Sequence, residues 1–151
     1  MVIVMMGVAG SGKTTVGKLL AAQLGWNFAD ADDYHSATNV EKMRSRIPLT
    51  DADRAPWLDT LRSLIASWIA EKRNVVLACS ALKREYRDRL LVAPDVRFVY
   101  LKGDRALLEQ RMRARHGHFM AERMLASQLA TLEEPKDTVV VDVSRSPEEI
   151  R

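Results

Sequence analysis

The chain has 151 residues, 47% apolar and 28% charged, which suits one globular domain over residues 1–151 and excludes a disordered or fibrous protein. A single cysteine excludes an internal disulfide, no Cys/His group has zinc-ligand spacing, and no apolar run approaches the roughly 20 residues that cross a bilayer, so a cytoplasmic protein without a membrane partner is expected. A net charge of +3 suits anionic ligands without selecting one.

Val2–Met6 reads as a strand and, lacking a basic segment before it, not as a signal peptide. A glycine-rich turn follows, then a helix with Val16, Leu19, Leu20 and Leu24 on one face, ending at Gly25. A second strand over 26–29 runs into Asp30, Asp32 and Asp33, and a polar helix is expected from about Ser36 to Arg46, before Pro48. The spacing of Trp57, Leu58, Leu61, Leu64, Ile65, Trp68 and Ile69 predicts an amphipathic helix from about Pro56, its stripe being core rather than a ligand box. Residues 74–79 form an uncharged run, as in a central strand covered on both faces, and Ser80 reads as the cap of a helix through Tyr86 and Leu90. Residues 96–101 are a fourth strand. A helix from about Asp104 leads into a basic stretch, and another carries Met124, Leu125, Leu129 and Leu132. Residues 139–141 are a fifth strand, and Ser146 opens a helix that the chain does not complete. Strands alternating with helices predict an α/β fold with a parallel sheet.

Gly7-Val8-Ala9-Gly10-Ser11-Gly12-Lys13-Thr14 matches G-x-x-x-x-G-K-[ST] at every fixed position, between a predicted strand and a predicted helix. There, successive backbone N–H groups and the helix dipole face an anion, and glycines let the backbone approach it closely. Gly7 to Thr15 are therefore the expected nucleotide-binding residues, with Lys13 on the β- and γ-phosphates and the Thr14 hydroxyl on Mg²⁺.

The motif alone says only that a nucleotide binds. No N-K-x-D guanine motif occurs, and the uncharged central strand ends in Cys79-Ser80-Ala81 rather than in the acidic residue of a switch or motor. Acidic residues instead follow the second strand. Asp30 and Asp32 are spaced to face one side of an extended backbone, so that one could hold the metal through water and the other orient and deprotonate an acceptor hydroxyl; either could instead cap the next helix. Arg111, Arg113 and Arg115 beside Gly117 suit a lid over about 111–120 that brings cations to the transferring phosphoryl group and excludes water. A kinase with a small anionic acceptor is expected. The rival is a nucleotide-dependent nucleic-acid module, which is poorly served by 6% aromatic residues, and no nucleic-acid partner is expected.

Beyond the phosphate loop, the blocks Asn39-Val40-Glu41-Lys42-Met43, Pro48 to Leu58, Cys79 to Asp88, Tyr100 to Asp104, Gly117-His118-Phe119-Met120 and Gln128 to Pro135 resemble the gluconokinases of the shikimate-kinase-like group. The resemblance covers nearly the whole chain. It implies a three-layer P-loop fold with a five-stranded parallel sheet of order 2-3-1-4-5, a homodimer, and ATP- and Mg²⁺-dependent phosphorylation of D-gluconate to 6-phosphogluconate. Carried over by position, Asp32 faces the acceptor hydroxyl, leaving Asp30 to the metal through water, while His35, Arg54, Lys83, Arg87 and Gln128 are candidates for the sugar acid. Arg54 or Arg87 would grip its carboxylate as a fork. Lys13, Arg111 and Arg115 complete the expected catalytic set. The family continues past the fifth strand with a full helix, whereas this chain stops as that helix begins.

Overall fold

A computed structural model describes residues 1–8, 11–45, 50–103, 106–108, 110–111, 126, 128–135 and 139–142. Strands β1 (Val2–Met6), β2 (Asn27–Asp30), β3 (Val75–Ala78), β4 (Val96–Lys102) and β5 (Val139–Asp142) pair in parallel in the order β2-β3-β1-β4-β5, the order expected. Four helices, α1 (Lys13–Leu24), α2 (Ala37–Arg44), α3 (Asp51–Ala70) and α4 (Arg84–Leu90), surround it, and 106–108, 110–111, 126 and 128–131 are also helical.

The apolar runs are continuous because the central strands are covered on both faces. Alternate side chains of β1 go to opposite sides: Val2, Val4 and Met6 join a core with Trp57, Leu58, Leu61 and Ile65 of α3 and Tyr86 and Leu90 of α4. Met5 faces the other way, toward Val16 and Ala21 of α1, with Val76 and Leu101 beside it. Each strand is thereby held at a fixed depth, which brings the carboxyl ends of β2, β3 and β1 side by side. In open parallel sheets that edge is where ligands bind.

Two helix starts differ from expectation. Helix α3 begins at Asp51, not near Pro56, because Thr50 and Asp53 form a reciprocal cap: Asp53 N donates to Thr50 Oγ1 at 3.1 Å and Thr50 N to Asp53 Oδ2 at 2.9 Å. Pro56 lies inside the helix and leaves only the Ala52 carbonyl without its usual amide. Helix α4 begins at Arg84 rather than after Ser80, since Ala81 adopts a left-handed φ of 45° that a helix cannot continue through. Its first amide is capped from afar, Arg84 N donating to Glu133 Oε1 at 3.1 Å. Helix α2 is shorter than expected, and β2 ends on Asp30 itself, one residue later than the reading of 26–29.

Candidate active site

The phosphate loop leaves β1 at Met6 and enters α1 at Lys13. Gly7 N donates to Ser80 O at 3.3 Å, pressing the loop against the segment after β3. A Cβ on Gly7 would come within 2.7 Å of Ser11 Oγ and 2.9 Å of Leu101 O, so only glycine fits. Gly12 turns the chain into the helix with φ of 90°, and its carbonyl accepts from Val16 N at 2.9 Å. Ser11 Oγ is buried and finds no hydrogen-bond partner among the described residues. Lys13 Nζ donates to Val8 O at 3.2 Å, curling back over the loop. A glycine-lined cradle, an orphaned hydroxyl within it and a lysine over it fit a polyphosphate.

Asp30 joins this cradle to the turn that follows β2. Its Oδ2 accepts from Thr14 Oγ1 at 3.2 Å and its Oδ1 from Asp32 N at 3.0 Å, the latter making Asp30 the cap of a 3₁₀ turn over Ala31–Tyr34. The capping role weighed for Asp30 and its place beside Thr14 are therefore compatible. Thr14, Lys18, Asp30, Asp33 and Tyr34 line part of a cleft of about 400 Å³. Thr14 and Asp30 offer hard oxygen donors in a set too small to cage an ion, which fits Mg²⁺ because that ion keeps most of its waters and phosphate ligands. Among the described residues no group of three His, Cys, Asp or Glu side chains is arranged to hold a metal.

Asp32 follows on the 3₁₀ turn, with about three quarters of its side chain open to solvent. Its carboxyl is nonetheless pushed above the usual carboxylate range, first by desolvation from the protein walls around it, then by Asp30 and Asp33, with Lys13 opposing. Local exposure and desolvation differ here because water reaches the carboxylate while protein still fills much of the space behind it. Cys79, at the end of β3, lies within the field of Asp32, Lys13 and Asp30, and burial above all pushes its thiol up to about 12. The phosphate loop and both carboxylates thus share one electrostatic neighbourhood.

His35 is held by Trp57 and Asn39 and faces Asp32. Its ring stacks on Trp57 with centroids 4.3 Å apart and planes 14° from parallel, its Nδ1 lies 3.3 Å from Asn39 Nδ2, and its Nε2 is 3.9 Å from Asp32 Oδ1. Trp57 is fixed in turn, its Nε1 donating to Ala31 O at 2.7 Å. Burial first, then Arg54, holds the His35 pKa below its ordinary value, favouring the neutral ring. The stripe read as core does supply the core, but Trp57 also builds the site.

A second polar group forms where α3 and α4 begin. Lys83 Nζ donates to both oxygens of Asp51, at 2.9 and 3.0 Å, and Tyr86 Oη donates to Asp51 Oδ1. Arg54 Nη1 donates to Tyr86 Oη at 3.1 Å, and both Arg54 and Lys83 lie over the Tyr86 ring. Arg54 and Lys83 are thus brought together, with Asp51 as the anion between them. Arg87, considered with Arg54 as the fork for a substrate carboxylate, is instead buried. Its Nη1 donates to Ala81 O at 2.8 Å and Leu82 O at 3.1 Å, and its Nη2 to Glu133 O at 2.7 Å. It fastens the loop before α4 to the segment at 133 and presents no free fork.

Gln128 and Arg111 are both helical, and Gln128 O accepts from Leu132 N at 2.9 Å. Thr15 lies in the first turn of α1. Ala9, Gly10 and Arg115, with the expected lid beyond Arg111 and the helix expected at Ser146, fall outside the described residues. Asn39, Asp51, Tyr86 and Glu133 were not singled out from the sequence, although all four lie in the blocks that carry the family resemblance. A larger open cleft, about 530 Å³, lies by α3 and α4 among Arg62, Arg84, Glu85, Asp88, Arg89 and Glu133, and none of the expected site residues line it. Among the described residues no helix is long and apolar enough to cross a membrane.

The model of a family described as an AAA domain matches residues 2–135. A gluconokinase of Gluconobacter oxydans is 47% identical over 136 residues, spanning 89% of this chain and 76% of that protein. The thermoresistant gluconokinase of Escherichia coli is 44% identical over 151 residues, spanning 95% of this chain and 85% of that protein. A crystal structure of a gluconokinase from Sinorhizobium meliloti superimposes with a TM-score of 0.88 at 46% identity, over 98% of this chain and 85% of that one.

Proposed function

The chain belongs to the gluconokinase family of P-loop kinases, and from that premise we propose that it transfers the γ-phosphoryl group of ATP to the 6-hydroxyl of D-gluconate, giving 6-phosphogluconate and ADP. The observation that carries this reading is Asp30, whose carboxylate accepts from Thr14 on the phosphate cradle and from the amide of Asp32 on the acceptor side. A phosphoryl-transfer enzyme must hold donor and acceptor in line, and one side chain here ties the two halves together.

In this mechanism the backbone of the loop and Lys13 hold the polyphosphate. Asp32 accepts the proton of the attacking hydroxyl as the new O–P bond forms and the bond to the ADP oxygen breaks. A carboxylate with a raised pKa is better matched to that task than an ordinary one, and its partial exposure leaves room for an acceptor. Thr14, with Asp30 acting through water, would hold Mg²⁺, which supplies charge neutralisation on the phosphate oxygens. His35, Arg54 and Lys83 supply mixed donors for a polyhydroxy acid, and Gln128 belongs to the same proposed set. Arg111 and Arg115 are proposed to stabilise the transferring group when a lid closes. A single domain, a homodimer and a cytoplasmic setting complete the reading, and light scattering on the purified chain tests the dimer.

A coupled ADP-release assay over gluconate, shikimate, nucleoside monophosphates and other sugar acids tests the function. Gluconate is expected to give turnover well above the others. No gluconate-dependent release of ADP would overturn the proposal.

A further inference from the structure

We propose that Asn39 is a positioning residue, whose side-chain amide fixes His35 as the Nε2–H tautomer so that the ring donates, beside Asp32, to a hydroxyl of the acceptor. The argument begins at the other end of the amide. Asn39 Nδ2 lies 2.8 Å from Asp53 O, and a carbonyl oxygen only accepts, so the atom facing it is the NH₂ group. That same nitrogen is 3.3 Å from His35 Nδ1. An NH₂ group only donates, so Nδ1 must carry the lone pair, and in a neutral ring the proton then sits on Nε2.

The surroundings leave the ring little choice. Asn39 is 5% exposed, and the His35 side chain only 3%, so water does not compete readily for Nδ1. Trp57 holds the ring plane by stacking, and burial with Arg54 favours the neutral form. Nε2 lies 3.9 Å from Asp32 Oδ1, too long for a direct hydrogen bond. An oxygen about 2.8 Å from each atom would bridge them. A hydroxyl there would accept from Nε2–H and donate to Asp32, using both halves of its chemistry at once, whereas with the other tautomer it would face two acceptors, Nε2 and the carboxylate, and no donor. The identity of the hydroxyl rests on the gluconate reading; the tautomer does not.

Long-range ¹⁵N–¹H NMR on the full chain reads the tautomer directly. The chain has three histidines, and the His35 signals are those lost in His35→Gln. At a pH where the ring is neutral, the parent is expected to show protonated Nε2 and bare Nδ1. Asn39→Asp replaces the donor by a carboxylate and should reverse that pattern, raising the KM for gluconate roughly tenfold while leaving the KM for ATP unchanged, as expected for one lost hydrogen bond. If Asn39→Asp does not fold, Asn39→Ser serves, with the ring drifting to a mixture of tautomers. A parent ring bearing its proton on Nδ1 would overturn the proposal, and so would a reversed tautomer with unchanged gluconate kinetics. Should the parent lack gluconate turnover altogether, the substrate reading fails and the NMR arm alone decides the role of Asn39.

Discussion

Thr14 Oγ1 donates to Asp30 Oδ2 at 3.2 Å, tying the first turn of α1 to the end of β2 across the intervening strand β3. Strands in a sheet lie about 4.8 Å apart, so the backbones of β1 and β2 are about two spacings from each other, and only side chains can close the gap. In the proposed reaction this pair is where the metal would meet the protein. Thr14→Val keeps the shape and removes the hydroxyl. We expect Thr14→Val to retain the fold, losing about 1 kcal/mol of stability. The Mg²⁺ concentration for half-maximal ADP release should rise, and Thr14→Ser should restore it. Identical metal dependence in Thr14→Val and the parent would remove Thr14 from the metal site.

Asp32 offers a two-sided test. As the proposed base it should lose about 10²- to 10⁴-fold in kcat on conversion to Asn, with the KM for ATP unchanged. Stability should move the opposite way. The folded state raises its pKa above the ordinary 3.8, so the folded chain holds this proton more tightly than the unfolded chain does. Ionisation therefore destabilises the fold, the loss beginning above 3.8 and becoming complete once the pH passes the raised value. At neutral pH Asp32→Asn should melt higher than the parent. A variant that is both slower and less stable would contradict the electrostatic account of this carboxyl.

The α/β alternation and the nucleotide loop were legible because each depends on local pattern: continuous apolar strands, a helical stripe, and glycines at fixed spacing; the strand order came only from the family resemblance. Interactions made across long stretches of chain were not. Arg87 looked like a cation on an open helix face, and only Glu133, 46 positions away, reveals that its guanidinium closes a backbone seam. The cap of α4 comes from the same glutamate, 49 positions from Arg84, so the nearby Ser80 was the only signal within reach and misled. Trp57 carried two signals at once, and helical spacing registered only the core. Asn39 had no chemical signature of its own, since its importance lies in joining His35 to the carbonyl of Asp53.

Arg87 gives a stability prediction that separates the two roles. A buried guanidinium donating to three carbonyls leaves those acceptors unsatisfied when it is removed, and charge-assisted bonds are the stronger kind. Arg87→Leu is expected to cost about 3 kcal/mol in urea unfolding. Arg87→Lys should recover only part of this, because a single ammonium cannot reach carbonyls on both segments. Were Arg87→Leu as stable as the parent yet unable to bind gluconate, the residue would belong with the acceptor after all.

Asp53 links the cap of α3 to pH. Its Oδ1 accepts from Lys42 Nζ at 2.7 Å and its Oδ2 from Thr50 N at 2.9 Å, and the lysine hydrogen bond first, then the backbone one, hold its pKa at about 2 against an ordinary 3.8. A depressed carboxyl stabilises the fold once it is ionised in both states. That contribution is complete above 3.8 and disappears as the pH falls from there through about 2. Asp53→Asn keeps an oxygen to accept from Thr50 and removes the charge that faces Lys42. The variant should therefore be less stable than the parent at neutral pH, and the two should converge as the solution is acidified to about pH 2. Urea midpoints measured across that range check it. A difference that stayed constant down to the lowest pH would mean that shape, and not charge, is what Asp53 contributes to the start of α3.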